Sequence, residues 1–359
     1  MIEIFTIISG LIALLNIFYK LNKKAKLTIF FIFLFFLIVF DGLRWETGND
    51  WQNYFNSFNN VLDIHTPGFE FGFTYYEILI RSLTSNYSIF LLITSCLIYI
   101  GIFYNIFKMT NYSFISIFYL TGLIPWYAGS MRQILALFFF ILSFKYIFNR
   151  KLLKFSIVIF LGGLFHSSIL PFYFIYFLYG SSMIYYFLLA FILIIISISF
   201  KLLIPQIDAI ISIVSDGRSI ESRSGGTLDT SNPFFGFLRK IFTIFSTYFF
   251  LTAVKDTNAI KYKISFFFYL SCFSLIFYFI GTYFISHVSS RLDIYTSIII
   301  LSIFFGLVES NTISKLKLFY LFIFTTLLLL IFYFRLEHLE LFHPYKSIFY
   351  NINYQRDLF

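Results

Sequence analysis

Charge is what this sequence lacks. Only 12% of its 359 residues are Asp, Glu, Lys or Arg, against about 25% in soluble domains. With 59% hydrophobic residues, among them 56 Phe and 27 Tyr, a water-soluble chain of this size could not bury its apolar side chains and still cover its surface. Breakers are scarce as well. With six prolines and no linker between polar segments, the chain reads as one domain, 1–359. The two cysteines, Cys96 and Cys272, both fall inside apolar runs, which argues against a disulfide framework and for packing. His65, His166, His287, His338 and His343 make no close ligand pattern, so neither a metal nor a cofactor is expected. The net charge of +9 is not gathered on an accessible polar domain, and nucleic acid is not an expected partner. The start of the chain has Glu3 and no basic stretch before its first apolar run; the lysines follow that run, the reverse of a cleavable signal peptide.

What the sequence has is long apolar runs. The stretches 31–40, 88–107, 183–200, 235–254, 264–280 and 316–334 are largely uncharged, and most approach the roughly 20 residues that cross a hydrocarbon core. The pattern predicts an all-α polytopic membrane protein with about twelve spans: 2–19, 27–43, 86–107, 113–129, 131–148, 152–165, 167–179, 183–203, 235–254, 262–281, 291–308 and 316–334. One kinked helix, with Gly162, Gly163 and Pro171 inside it, is the alternative for 152–179. Charge favours two. With the connection 20–26 placed inside and the spans alternating from there, the inner loops and flanks hold 14 of the 26 basic residues and only Asp256 and Glu309 among the acids. Such asymmetry fits the positive-inside rule, and both termini then lie outside. Three outer stretches are long. The first, 44–85, reads as a polar loop followed by an interfacial or re-entrant helix over 69–83, interrupted by Glu70, Glu77 and Arg81. The second, 201–233, is a flexible loop with Ser/Gly/Arg clusters, and 335–359 reads as a surface tail rich in Tyr and Phe.

Five short polar motifs share the outer face in this topology. Arg44, Trp45, Asp50, Trp51 and Tyr54 begin where the second span ends. They suit either an aromatic belt with solvated charges or a loop that stacks on sugar rings and forks an arginine onto phosphate. Glu70 and Gly72 open the interfacial segment, where an acid also complements a helix dipole. Arg132 and Gln133 open an apolar helix, as a snorkelling anchor or as an anion site. His166, Ser167 and Ser168 sit between short apolar segments, where polar side chains usually face a cavity. Arg291 and Asp293, with Tyr295 after them, begin a later helix, and a local ion pair is their plainer reading.

Taken in order, these motifs resemble the EpsG family of polysaccharide polymerases, relatives of the Wzy O-antigen and capsule polymerases. The carriers are Arg44, Gly48, Asp50, Trp51 and Tyr54; Glu70 and Gly72; Arg132 and Gln133; His166, Ser167 and Ser168; and Arg291, with His343, Pro344 and Tyr345 resembling the family's tail. The resemblance implies a GT-C-like glycosyltransferase of the bacterial inner membrane. Its implied substrates, donor and acceptor, are undecaprenyl-diphosphate-linked oligosaccharide repeat units, joined on the extracytoplasmic face into O-antigen, capsule or exopolysaccharide. A chain-length regulator is a possible partner beside the lipid bilayer. Transfer leaves negative charge on a diphosphate, which a metal or fixed cations can offset. The sequence offers arginines and no carboxylate pair at metal spacing, so a metal-independent enzyme is expected, with Arg132 and Arg291, and Arg44 beside them, on the diphosphate. His166 and Asp50 are the candidate proton acceptors, and Trp45, Trp51 and Tyr54 the sugar platform; Glu70, Gln133, Ser167, Ser168 and Tyr295 complete the candidate binding residues. A lipid-linked oligosaccharide flippase or an O-antigen ligase is the competing reading.

Overall fold

A computed structural model describes residues 2–48, 50–62, 69–127, 129–182, 233–254, 258–283, 291, 292, 294–311 and 314–333, with isolated positions from 184 to 195. Every element among the described residues is helical. In chain order they are α1 (Ile2–Tyr19), α2 (Lys23–Gly42), α3 (Trp51–Asn60), α4 (Phe71–Leu83), α5 (Tyr87–Met109), α6 (Phe114–Tyr127), α7 (Met131–Phe148), α8 (Leu152–Phe165), α9 (Ser167–Leu178), α10 (Pro233–Ala253), α11 (Asn258–Tyr283), α12 (Tyr295–Asn311) and α13 (Lys315–Tyr333). Helices α1, α2, α5, α7 and α13 are long and apolar enough to cross a membrane, and α6, α8, α9 and α12 are shorter apolar helices. Each span expected from the sequence coincides with a helix except 183–203, most of which lies outside the described residues, as do the loop 201–232 and the tail from 334 on.

The core is built around α6. A bilayer would also accept an apolar helix facing lipid, yet Phe114–Leu123 is enclosed by protein at every position. Its neighbours are fixed by contacts on three sides. Phe118 stacks on Phe322 of α13 at 5.2 Å, Ser116 Oγ donates to the Ser302 carbonyl of α12 at 2.8 Å, and Gly10 of α1 faces the Phe118 ring. Asn22 and Ser113 cap α2 and α6, their side-chain oxygens accepting from Ala25 and Ser116 amides at 2.8 and 3.1 Å.

The segment 152–178 is a hairpin and not one kinked helix. At His166 the backbone is extended (φ −158°, ψ 121°), and α9 turns back along α8. Gly162 lies against Ile169 and Gly163 against Leu170 near the turn; further away, Phe155 meets Tyr173 and Tyr176, with rings 5.4 and 5.2 Å apart. Arg150 closes the open end by donating to the carbonyls of Tyr176 and Tyr179.

Two ends of the bundle follow from these pairings. Ile2, Trp126 and Tyr333 meet at one end. At the other, Lys315 Nζ donates to the Phe18 carbonyl at 2.9 Å, and Asn16, Ser113 and Glu309 are hydrogen-bonded together. The stretch 44–85 corrects the sequence reading in one respect. Its first half is not only a polar loop, because Trp51–Asn60 forms α3. The signal was an i, i+4 pair, Tyr54 and Phe58, which are the two buried residues of that helix.

Candidate functional site

Arg132 is the second residue of α7, and its place is set by the turn Ile124–Tyr127 that ends α6. Its amide points to the Tyr54 hydroxyl at 3.5 Å. Its guanidinium donates from Nη1 to Glu70 Oε2 and lies over the Phe69 ring, 4.1 Å from the centroid, a geometry that favours a cation. The two charged side chains keep 22% and 26% of their surface accessible, so the pair opens outward from the protein. Arg132 Nε has no hydrogen-bond partner. Glu70 stands at the N-cap of α4 but makes no capping bond, which leaves its carboxylate to the arginine.

The neighbouring motifs converge on this pair. Gln133 Nε2 donates to the Arg291 carbonyl at 2.7 Å, tying the start of the late helix to α7; the Arg291 side chain is exposed. Asp50 precedes α3 and is held by an Asn53 hydrogen bond; burial pushes its carboxyl up from the usual range, while the charges of Arg132 and Arg291 and that bond pull it down. His166, in the turn between α8 and α9, is buried. Burial, against the opposing pull of Glu70 and helped by the charges of Arg291 and Arg132, lowers it to about 4. Its Nδ1 lies 2.7 Å from Ser168 Oγ, which lies 3.1 Å from the Tyr295 hydroxyl. Tyr295 is fully buried, its ring 5.1 Å from Phe140 and 4.8 Å from Phe172. It begins a π-helical stretch, Tyr295–Ile300, a distortion frequent at functional sites. Ser167, which follows His166 in the chain, is exposed.

Gly72 is needed for this convergence. A Cβ there would stand 2.9 Å from the Leu164 carbonyl oxygen, so only glycine lets α4 lie directly on the end of α8, next to His166. Gly48 (φ +104°) makes the turn into Asp50 and α3.

Other candidate residues lie away from the opening. Arg44 is buried and bonded to the Asp41 carboxylate, which also accepts from Ser95 Oγ at 2.7 Å. Trp45 and Trp51 meet edge to face at 4.9 Å, and both pack on Phe55 and Tyr87. Tyr54 is buried with its ring against Phe69 and Phe73. These groups brace α3 under the cluster. Glu77, which the sequence marks only as an interruption of the segment 69–83, is fully buried on α4. Its Oε2 accepts from Ser57 Oγ at 2.8 Å, Oε1 has no partner, and burial pushes its carboxyl up to about 7. Its signal was a lone carboxylate in an apolar segment. Asp293 and the 343–345 motif lie outside the described residues.

The fold and the site therefore define a multi-pass α-helical membrane protein that gathers two arginines, a histidine and two carboxylates at one end of its bundle. The chain belongs to the EpsG family, whose model matches residues 27–347; members are Wzy-type polysaccharide polymerases, which supports a polymerase role in general. No curated protein and no solved structure matches it.

Proposed function

We propose that this end of the bundle is the active site of a GT-C-like membrane glycosyltransferase. It joins undecaprenyl-diphosphate-linked oligosaccharide repeat units on the extracytoplasmic face of the bacterial inner membrane, building O-antigen, capsule or exopolysaccharide. The observation that carries the proposal is the Arg132–Glu70 pair, about a quarter open, with the Arg291 backbone anchored beside it through Gln133. In the reaction, a hydroxyl of the incoming unit attacks the anomeric carbon of the growing chain, and a lipid diphosphate leaves with the bonding electrons. Two guanidinium groups placed where that charge develops lower the barrier. Arginine suits the task because its charge is permanent and its planar fork matches two phosphate oxygens. Glu70 and Phe69 hold the Arg132 fork in place before substrate arrives.

The test is the surface polysaccharide of a deletion strain. Loss of polymer with a single capped repeat remaining is the expected result. Absence of any repeat outside the membrane would mark a flippase instead, and unligated polymer a ligase.

A further inference from the structure

The hydrogen bonds around His166 fix which of its ring nitrogens carries the proton. His166 is the N-cap of α9, and its Nδ1 accepts from the Ser168 backbone amide at 3.2 Å. An amide N–H can only donate, so Nδ1 holds a lone pair and the proton of the neutral ring is on Nε2. The hydroxyls follow the same direction. Ser168 Oγ, 2.7 Å from Nδ1, turns its proton toward that lone pair and accepts in turn from the Tyr295 hydroxyl at 3.1 Å. The aromatic walls of Phe140 and Phe172 keep Tyr295 in that position. A ring protonated on Nε2, with Nδ1 engaged by two donors, has no free lone pair to offer. Burial of the ring, helped by the charges of Arg291 and Arg132 against the opposing pull of Glu70, disfavours a second proton.

We infer that His166 serves the transfer as a hydrogen-bond donor through Nε2–H and not as its base, with Ser168 and Tyr295 as positioning residues that set its tautomer, and that the acceptor hydroxyl gives its proton to Asp50. This rests on the polymerase reading for the reaction but not for the tautomer. The new glycosidic C–O bond forms as the anomeric C–O bond to the diphosphate breaks. The hydroxyl proton passes to the Asp50 carboxylate, and the electron pair leaves on the diphosphate, where Nε2–H and the two guanidinium groups meet it. Of the nearby carboxylates, Glu70 is engaged with Arg132 and Glu77 is fully buried, whereas Asp50 is half-buried one turn before Tyr54, its carbonyl accepting from the Tyr54 amide at 3.0 Å while the Tyr54 hydroxyl faces the Arg132 amide.

The experiment uses the full chain, labelled with ¹⁵N-histidine in lipid nanodiscs. The His166 signals are identified by their loss in His166→Gln. An unprotonated Nδ1 and a protonated Nε2, unchanged between about pH 5 and 8, are expected. Ser168→Ala should convert the ring to a tautomer mixture, and Ser168→Thr should restore it. In polymerisation of lipid-linked repeat units, His166→Gln, whose amide nitrogen reaches the Nε2 position, should keep roughly a tenth of the rate. His166→Asn and His166→Ala should lose about 10²–10³-fold, the range for one charge-stabilising donor. Asp50→Asn should abolish turnover. A protonated Nδ1 in the unaltered protein would overturn the inference, and so would a His166→Gln variant as inactive as His166→Ala at equal folding. The inferred tautomer in a protein that polymerises nothing would sink the polymerase reading alone.

Discussion

Two clusters join a carboxylate to distant parts of the chain, one at each end of the bundle, and they are built differently. At one end, Glu309 of α12 accepts from Asn16 Nδ2 at 2.8 Å, from the Ile115 amide at 3.0 Å and from Ser113 Oγ. Its donors come from α1, α6 and the cap of α6, and only 8% of the residue is accessible. Such a carboxylate is sealed: its donors are other parts of the fold, and it leaves no room for a ligand. At the other end, the Arg132–Glu70 pair is about a quarter open, and Arg132 Nε is unmatched. A polar group at membrane depth is costly in either case. At the Glu309 end hydrogen bonds offset the cost and tie helices together. At the Arg132 end it is the accessible part of the ion pair, and not the buried Nε, that stays available to a substrate. One buried atom is unmatched at each end, Asn16 Oδ1 and Arg132 Nε, so accessibility of the charged groups, more than satisfaction of every atom, separates architecture from chemistry.

The sharpest way to break this comparison is at Arg132. Arg132→Ala should lower polymer synthesis about 10²–10³-fold at near-normal membrane levels, because the side chain is half-exposed at a helix end. Arg132→Lys should also be severely impaired, since it keeps the charge and loses the fork. Complementation of a polymerase-null strain, with expression measured in parallel, reads both. Normal chain length from Arg132→Ala at normal expression would reduce Arg132 to an interfacial anchor.

At the opposite end the loss should be of protein and not of chemistry. Glu309→Ala leaves buried donors from Asn16, Ser113 and Ile115 without a partner, at about 1–3 kcal/mol for each group left unmet. The expected phenotype is a lower unfolding temperature in detergent and less protein in the membrane, with near-normal polymer per folded molecule. A Glu309→Ala protein that melts normally but makes no polymer would show that the sealed cluster takes part in function.

Much of this was legible in the sequence, and the limits have physical reasons. Apolar run length located the helices because a bilayer demands it. Charge asymmetry favoured two segments over one at 152–179, and the hairpin at His166 agrees. The order of short motifs marked residues that the fold gathers, including Glu70, Arg132, Gln133 and His166. What the sequence did not carry was the direction of each side chain. Arg44 turns inward to Asp41, and Trp45 and Trp51 close on each other and on Tyr87. The same residue types in the same order would serve as an open platform if α3 were a loop. Glu309 counted only as an inner acid, because its partners Ser113 and Asn16 stand 196 and 293 residues away. Local pattern holds no information at that range.

Glu77 lies between the two extremes, sealed like Glu309 but only half satisfied, with Oε1 unpartnered. Burial raises its carboxyl to about 7 from the ordinary 4.5, so the folded protein holds this proton more tightly than the unfolded chain does. The stabilisation is complete below the unfolded value and is lost as pH rises toward and through about 7. Glu77→Gln should remove that slope and raise stability at pH 8 by about 1–3 kcal/mol. Unfolding temperature followed from pH 5 to pH 8 tests it; a variant with the unaltered protein's pH slope would show that Glu77 is ionised throughout.

The smallest effect is expected at Arg81, and it sharpens the comparison most economically. Arg81 stands on α4, the helix that follows Glu70, and its loss changes net charge by the same amount as the loss of Arg132. Its Nη1 donates to the Ser85 carbonyl at 2.8 Å, and its guanidinium lies over Phe58 at 5.4 Å. Both contacts are local, and neither joins the cluster. Arg81→Ala should therefore cost at most about 0.5–1 kcal/mol of stability and leave polymer length unchanged. If Arg81→Ala instead shortened polymer as Arg132→Ala does, and if added salt reproduced the defect in the unaltered protein, the positive field of this whole end would be drawing in the substrate. The placement of one guanidinium fork would then explain little. An unchanged product from Arg81→Ala beside a failed one from Arg132→Ala places the effect in geometry, where the open ion pair puts it.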